Sequence, residues 1–196
     1  MDINEVKQAK NDHPIHSLIK ERWSPRVFKE QPVEDEKIAS LFEAVRWAAS
    51  SMNEQPWRFI YAKKGSEAYD KIIDCLYEFN QGWVIHAPLL VLTAYKENFD
   101  SGKQNFHALH DLGLGVANLT LQAQAMGLGL HQMAGVHWAK AQEVFHVPEG
   151  YHVSTCLAIG YYGGDINKLN EDLQKSEGSP RLRKPLDEFV FEGEWS

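Results

Sequence analysis

Ala48-Ala49-Ser50-Ser51-Met52-Asn53-Glu54-Gln55-Pro56-Trp57-Arg58-Phe59 joins a helix-patterned segment to a strand-patterned one. Before it, Ile38, Leu41, Phe42, Val45 and Ala48 recur at helical spacing and predict a helix over 35–50. After it, Trp57 to Ala62 reads as a short strand. The junction itself carries serine hydroxyls, the carboxamides of Asn53 and Gln55, a proline and a tryptophan. Hydroxyls and amides donate or accept without adding charge, which suits a ligand rich in hydroxyls, carbonyls and ring nitrogens. Two readings stand on these residues alone. One is a polar turn in which Ser and Asn close a helix and Pro opens a strand; the other is a binding loop.

Working outward, helical patterning covers 13–21, and 66–77 with Tyr69, Ile72, Ile73 and Leu76 inward. The apolar run 88–94 reads as a buried strand. The longest helix is expected over 105–126, apolar on more than one face and so buried centrally or in a subunit interface. Gly127-Leu128-Gly129 ends it, 130–134 leads into a strand or extended loop, 138–145 is a short helix and 153–161 another buried strand. Helices and strands alternate without tandem hairpins, which indicates an α/β or α+β layered domain. No repeat or linker divides the chain, so residues 1–196 form one domain. Leu186 to Phe191 is apolar enough to add a strand at a sheet edge, in this subunit or a partner.

The 196 residues are 43% hydrophobic and 24% charged, with a net charge of -7. That acidic balance argues against nucleic-acid or anionic-membrane binding. The longest apolar run, around 87–94, is strand-sized and too short to span a bilayer. The start of the chain lacks the basic-then-apolar order of a signal peptide. Cys75 and Cys156, each with apolar neighbours in sequence, read as buried free thiols of a reducing compartment, and a cytoplasmic location is expected.

Two further clusters bear on chemistry. Glu21-Arg22-Trp23-Ser24-Pro25-Arg26-Val27-Phe28 places two guanidinium groups and a hydroxyl close together, a set suited to phosphate. The plain structural alternative is a helix C-terminus whose arginines answer the dipole. Arg181, Arg183 and Lys184, bracketed by Pro180 and Pro185, form the other dense basic cluster in an acidic chain; they read as a solvated tail or as the second side of a phosphate pocket. Gly113-Leu114-Gly115 lies inside a helical pattern without a preceding strand, so it is not read as a dinucleotide fingerprint. His107, His110 and Asp111 lack a completing ligand set, and no metal is expected. Ser50 and Ser51 lack the glycine-flanked elbow of a hydrolase nucleophile.

Arg22 to Phe28, followed by Ser50 to Phe59, is similar to the paired N-terminal signature of the nitroreductase family, FMN-dependent NAD(P)H oxidoreductases. Further matches are Asn80-Gln81, Ala87-Pro88, Asp111 through Asn118-Leu119, Gly127-Leu128-Gly129, Met133-Ala134-Gly135 and Arg183-Lys184-Pro185-Leu186-Asp187-Glu188-Phe189-Val190. The ordered set spans nearly the whole chain.

The resemblance implies an α+β nitroreductase-like fold: a central, mostly antiparallel sheet flanked by helices in an intertwined homodimer, with 180–196 embracing the partner subunit. It implies FMN, with Arg22 and Ser24 on the phosphate and Arg181 and Arg183 completing that site. Arg26 would lie nearer the pyrimidine edge, where a cation stabilises the charge that develops at N1 and O2 on reduction. Ser50, Ser51 and Asn53 would contact the cofactor from the partner subunit. Asn80, helped by Gln81, would bond the ring's polar edge, while Met133, Ala134 and Gly135 pass beside the isoalloxazine with backbone N–H groups near N5. Two positions depart from the pattern: Ala49 stands where many members carry proline, and Trp23 where the family is often basic or polar, so Trp23 replaces a phosphate contact with packing or becomes a ligand itself. The implied reaction is ping-pong reduction of a small electron-poor acceptor, a nitro compound or quinone, by NADH or NADPH, with no side chain as obligate acid or base. Two alternatives remain open: a flavin-binding sensor or interaction module without useful turnover, and a family member with a dedicated non-nitro substrate.

Overall fold

A computed structural model describes residues 3–195. Its centre is a four-stranded sheet of β1 (Trp57–Lys63), β2 (Leu89–Lys96), β3 (Leu128–Met133) and β4 (Tyr151–Tyr161), in the order β1-β2-β4-β3. Every neighbouring pair is antiparallel, with Leu92 opposite Ile60 and Cys156, and Ile159 opposite Leu130. β2 and β4 are central, so both of their faces are covered, and the apolar run expected at 88–94 is buried on both sides. Side chains alternate between two cores because successive residues of a strand point to opposite faces. Leu90, Leu92, Cys156 and Ala158 enter one core; Leu89, Val91, Leu157 and Ile159 enter the other.

Among the described residues, eight helices flank the sheet. α1 (Ile3–Lys7) and α2 (Ser17–Glu21) precede α3 (Asp35–Arg46), which stops short of the expected 50 because the chain turns at Trp47. The stretch expected as one helix over 66–77 is two: α4 (Glu67–Asp74) and α5 (Glu78–Val84). Leu76 is drawn off to pair with Val136, and the Gln81 amide donates to the carbonyls of Ile73 and Leu76 at 3.1 and 2.8 Å, closing the end of α4. α6 (Ala108–Ala125) packs one side on α3 and the sheet, while Phe106, Leu109 and Leu114 on and just before it are exposed. Its C-terminus runs straight into β3, which therefore begins at Leu128, two residues earlier than the expected extended segment. α7 (Trp138–Val144) and α8 (Glu171–Gly178) complete the set.

Leu186 to Glu188 forms a 3-10 turn, and no strand follows β4 among the described residues, so the expected C-terminal strand does not join this subunit's sheet. Leu182, Leu186, Phe189, Val190 and Trp195 are exposed along this tail. No helix among the described residues is long and apolar enough to cross a membrane. Cys75 and Cys156 are both buried and free.

Candidate functional site

The chain leaves α2 at Arg22 and runs extended across the end of β3. Gly129 makes this seat possible: a Cβ there would lie 2.5 Å from Pro25 Cγ and 2.8 Å from Tyr162 Cε1. Tyr162 pins the loop again, its hydroxyl donating to the Trp23 carbonyl or to Gln124 Oε1, 3.2 and 2.9 Å away. On this loop Arg22 Nη1 donates to Ser24 Oγ at 3.1 Å. Burial pushes the Arg22 guanidinium below its ordinary range, and the nearby Arg183 adds repulsion. Arg22 and Ser24 are thus bonded to each other, with Arg183 near enough to repel the Arg22 guanidinium, and Arg22 and Arg183 retain donors for an anion.

Arg181 reaches the same place with a different engagement. Its Nε, Nη1 and Nη2 donate to the carbonyls of Lys7, Arg22 and Lys20, each at 2.5 Å. A guanidinium capping these helix-terminal carbonyls braces the loop rather than presenting itself to a ligand. Trp23 also turns away. Its ring is 4% exposed and stacks on Tyr162 at 5.5 Å, with Nε1 donating to Asn4 Oδ1. The expected possibility of a Trp23 ligand gives way to packing, because the apolar ring is worth more in the core than over a phosphate.

Arg26 leads from this basic end toward α5. Its backbone N–H donates to Glu177 Oε1 at 2.7 Å, and its Nη1 lies 3.3 Å from Glu177 Oε2. Its guanidinium carbon sits 6.0 Å from the centroid of the Trp83 ring. Two buried donors here have no partner among the described residues, Arg26 Nε and Trp83 Nε1. A buried donor left unpaired costs about 1–3 kcal/mol, so such a pair of orphans marks a place made for acceptors. His131 flanks it, its ring 4.6 Å from Trp83 and its Nδ1 3.1 Å from the Pro25 carbonyl. The His131 pKa is pushed down to about 4, by burial first and by Arg26 next, so the ring is neutral at pH 7.

One turn along α5 from Trp83 stands Asn80, 8% exposed, whose Nδ2 donates to the Gly135 carbonyl at 3.3 Å. A Cβ on Gly135 would lie 2.7 Å from that nitrogen and 3.1 Å from the Tyr77 ring, so any larger residue would displace the Asn80 amide. The N–H groups of Ala134 and Gly135 donate to nothing among the described residues and remain available. Met133, by contrast, sends its side chain into the core opposite Cys156. Gln81 is engaged in closing α4, which leaves it a structural amide rather than the expected helper. Beside Asn80 opens a cleft of about 630 Å³ whose walls include Tyr77, His137 and Trp138, with the Tyr77 and His137 rings 4.5 Å apart.

The turn of the opening stretch lies elsewhere. Ser51 N–H donates to Asp111 Oδ2 at 2.9 Å, Ser50 Oγ accepts from Gln55 N–H at 3.0 Å, and Asn53 Oδ1 accepts from the Gln55 amide. Met52, Asn53 and Gln55 hold φ of 54, 58 and 49°, a left-handed conformation costly for residues other than glycine and frequent at functional turns. Asp111 is near the start of α6, whereas Gln124, which holds the arginine loop through Tyr162, is near its end. Thirteen residues of helix separate these anchors, about 20 Å at 1.5 Å per residue. One chain thus does not bring Ser50, Ser51 and Asn53 together with Arg22 and Ser24.

Trp83 is the member that sequence reasoning did not assign. Its only signal was its place one turn after Asn80, and a buried tryptophan is ordinarily core. Among the described residues, no group of three or more His, Cys, Asp or Glu side chains is placed to hold a metal.

The donor set tests well against a flavin mononucleotide. The cluster of Arg22, Ser24 and Arg183 fits a phosphate, while the orphans at Arg26 and Trp83, the Asn80 amide and the free N–H groups at Ala134 and Gly135 fit a ring edge rich in acceptors.

Comparison with known proteins gives the family. A solved structure described as an oxidoreductase containing FMN is 32% identical, with a TM-score of 0.88, covering 95% of this chain and 96% of that one. A nitroreductase family protein from Clostridium difficile 630 shares 24% identity and a TM-score of 0.70 over 91% of this chain and 97% of its own. A Ralstonia nicotianae protein, provisionally named an NADH dehydrogenase/NAD(P)H nitroreductase, is 25% identical over 175 residues, 80% of this chain and 88% of the relative. The sequence model of the nitroreductase family matches residues 19–81 and 74–161. The chain belongs to the nitroreductase family.

Proposed function

We propose that the chain binds FMN along the strip from Arg22 and Arg183, past Arg26 and Trp83, to Asn80 and Gly135, and uses NADH or NADPH to reduce electron-poor acceptors such as nitro compounds or quinones. The observation that carries this reading is the pair of buried, unpartnered donors at Arg26 and Trp83, the first on the loop that carries Arg22 and Ser24 and the second on the helix that carries Asn80. FMN, when bound, would supply the redox chemistry of hydride acceptance and electron donation. The protein's share is placement and electrostatics. Arg22, Ser24 and Arg183 would anchor the phosphate, Arg26 would present a cation to the ring edge, and neutral His131 holds the carbonyl of Pro25 on the same loop. The aromatic cleft of Tyr77, His137 and Trp138 offers a seat in which nicotinamide and acceptor alternate, giving ping-pong turnover without a side-chain acid or base.

The proposed assembly is a homodimer of one-domain chains, residues 1–196. The second chain contributes Ser50, Ser51 and Asn53, and residues 180–196 lie across the partner. Supporting it are the separation of the two halves of the site along α6, the exposed Phe106, Leu109 and Leu114, and the exposed apolar tail. The test is the absorption spectrum of the purified protein, followed by anaerobic bleaching with NADH or NADPH and recovery on adding a nitro or quinone acceptor. Protein that stays colourless and takes up no FMN on titration would refute the proposal.

A further inference from the structure

Glu177 is 0% exposed, yet it sits in the last turn of an eight-residue helix, α8. That is the wrong end for an anion, since the carbonyls there already carry partial negative charge. Its carboxylate is held by one residue twice, through the Arg26 backbone N–H at 2.7 Å and Arg26 Nη1 at 3.3 Å. From α1 the Lys7 cation faces the same carboxylate, its Nζ donating to the neighbouring Ser176 carbonyl at 2.9 Å. Burial outweighs the pull of Arg26 and Lys7, so the carboxyl pKa stands above its ordinary range. A buried ion pair is seldom retained for stability alone, because desolvating both charges offsets most of their attraction. What this pair does accomplish is electrostatic. Arg26 keeps its Nε uncommitted, its guanidinium carbon 6.0 Å from the centre of the Trp83 ring, while the Glu177 carboxylate engages its Nη1.

We propose that Glu177 is the fixed counter-charge of the flavin site: by offsetting Arg26, it limits how much more tightly reduced FMN is held than oxidised FMN, and so sets the cofactor's midpoint potential. The inference rests on the proposed FMN site and adds a positioning residue to it. Reduction by hydride leaves negative charge on the ring's N1–O2 side, which a bare Arg26 would favour and a neutralised one favours less. Unit charges about 10 Å apart at an effective dielectric constant of about 20 still interact by more than a factor of ten in binding. The effect is therefore measurable even if the carboxylate never touches the cofactor.

The experiment is a redox titration of FMN-loaded wild type, Glu177→Gln and Lys7→Met against a reference dye, with the affinity for oxidised FMN measured in parallel. Glu177→Gln keeps the shape and an acceptor for the Arg26 N–H but removes the charge. It should hold reduced relative to oxidised FMN about tenfold more tightly or better, a rise of about 30 mV or more for a two-electron couple. Lys7→Met leaves more of the carboxylate's charge uncompensated and should move the potential the other way. Were Glu177 only a staple between α8 and the loop, both redox states would lose affinity equally and the potential would stay put; that result overturns the inference while leaving the function standing. If Glu177→Gln does not fold, Lys7→Met decides, and an unmoved or raised potential there overturns it. Wild type that binds no FMN overturns both readings.

Discussion

Replacing Gly129 by alanine tests whether the arginine loop takes its position from the sheet. The added methyl would stand 2.5 Å from Pro25 Cγ and 2.8 Å from Tyr162 Cε1. Carbon atoms are comfortable at about 3.5–4.0 Å, so one neighbour must retreat by about 1 Å. Neither is a flexible tip: Pro25 is a ring within the main chain, and Tyr162 is tied to Trp23 and Gln124. The loop is the side that gives, carrying Ser24 and Arg26 with it. Overpacking of this kind costs about 1–3 kcal/mol of stability. A charged hydrogen bond to the cofactor is worth about 1.5–3 kcal/mol, so losing one weakens FMN by about tenfold or more. Denaturant unfolding gives the first number and fluorescence titration of FMN into apoprotein the second. Gly82→Ala is the control: on α5 its Cβ meets nothing within 4 Å, and removing a helical glycine should add about 0.5–1 kcal/mol. A Gly129→Ala protein with parental stability and FMN affinity would show that Pro25 is not seated on β3 as described.

Asp111→Ala strips the acceptor from Ser51 N–H and should cost about 1–3 kcal/mol; protease cleavage within 51–55 should rise, and a turn as resistant as the parent's refutes the anchor. His131 has a folded pKa of about 4 against 6.5 unfolded, so the unfolded chain binds the extra proton between those limits. Stability is then complete above about pH 6.5 and falls by about 3 kcal/mol as the pH drops to 4. His131→Gln should flatten that acid limb, and an unchanged limb in urea unfolding from pH 7 to 4 counts against the buried neutral ring. Arg181→Ala and Arg183→Ala should separate: the first loses three bonds to carbonyls and destabilises the fold by about 1–3 kcal/mol, while the second leaves unfolding unchanged and weakens FMN. Equal effects of both on the two measurements would erase the distinction between brace and ligand.

The strands and the long helix were legible because their patterns are local: a continuous apolar run for β2, helical periodicity for α3 and α6. The break between α4 and α5 was not, since apolar spacing runs on through Leu76 and the interruption comes from Val136 and the Gln81 side chain, contacts visible only after folding. The family signature pointed to the segments of the proposed site, but it could not rank the residues within them. Arg22, Arg181 and Arg183 are equivalent as letters, and their roles separate only by what their donors already hold. Glu177 left no mark at all, because an acidic residue in a polar C-terminal helix reads as a solvated face until α8 docks on Arg26.

The same reasoning explains the conformation of the Ser50–Gln55 turn. Its left-handed residues would relax in a loop that served only to connect α3 and β1. They persist because a buried carboxylate, Asp111, holds Ser51 from one side and Ser50 Oγ holds Gln55 from the other. α6 thus bears two anchors about 20 Å apart, one for this turn and one for the arginine loop. A rigid helix fixes that separation, so within a single chain neither half of the polar site can move to complete the other. In the proposed homodimer, a second chain running against the exposed side of α6, where Leu109 and Leu114 lie open, would bring a preformed turn to a preformed loop without ordering either. In that proposed homodimer, strain borne in the free chain would reappear as affinity in the assembled site, with the polar stretch before Trp57 as the half that each chain lends to the other.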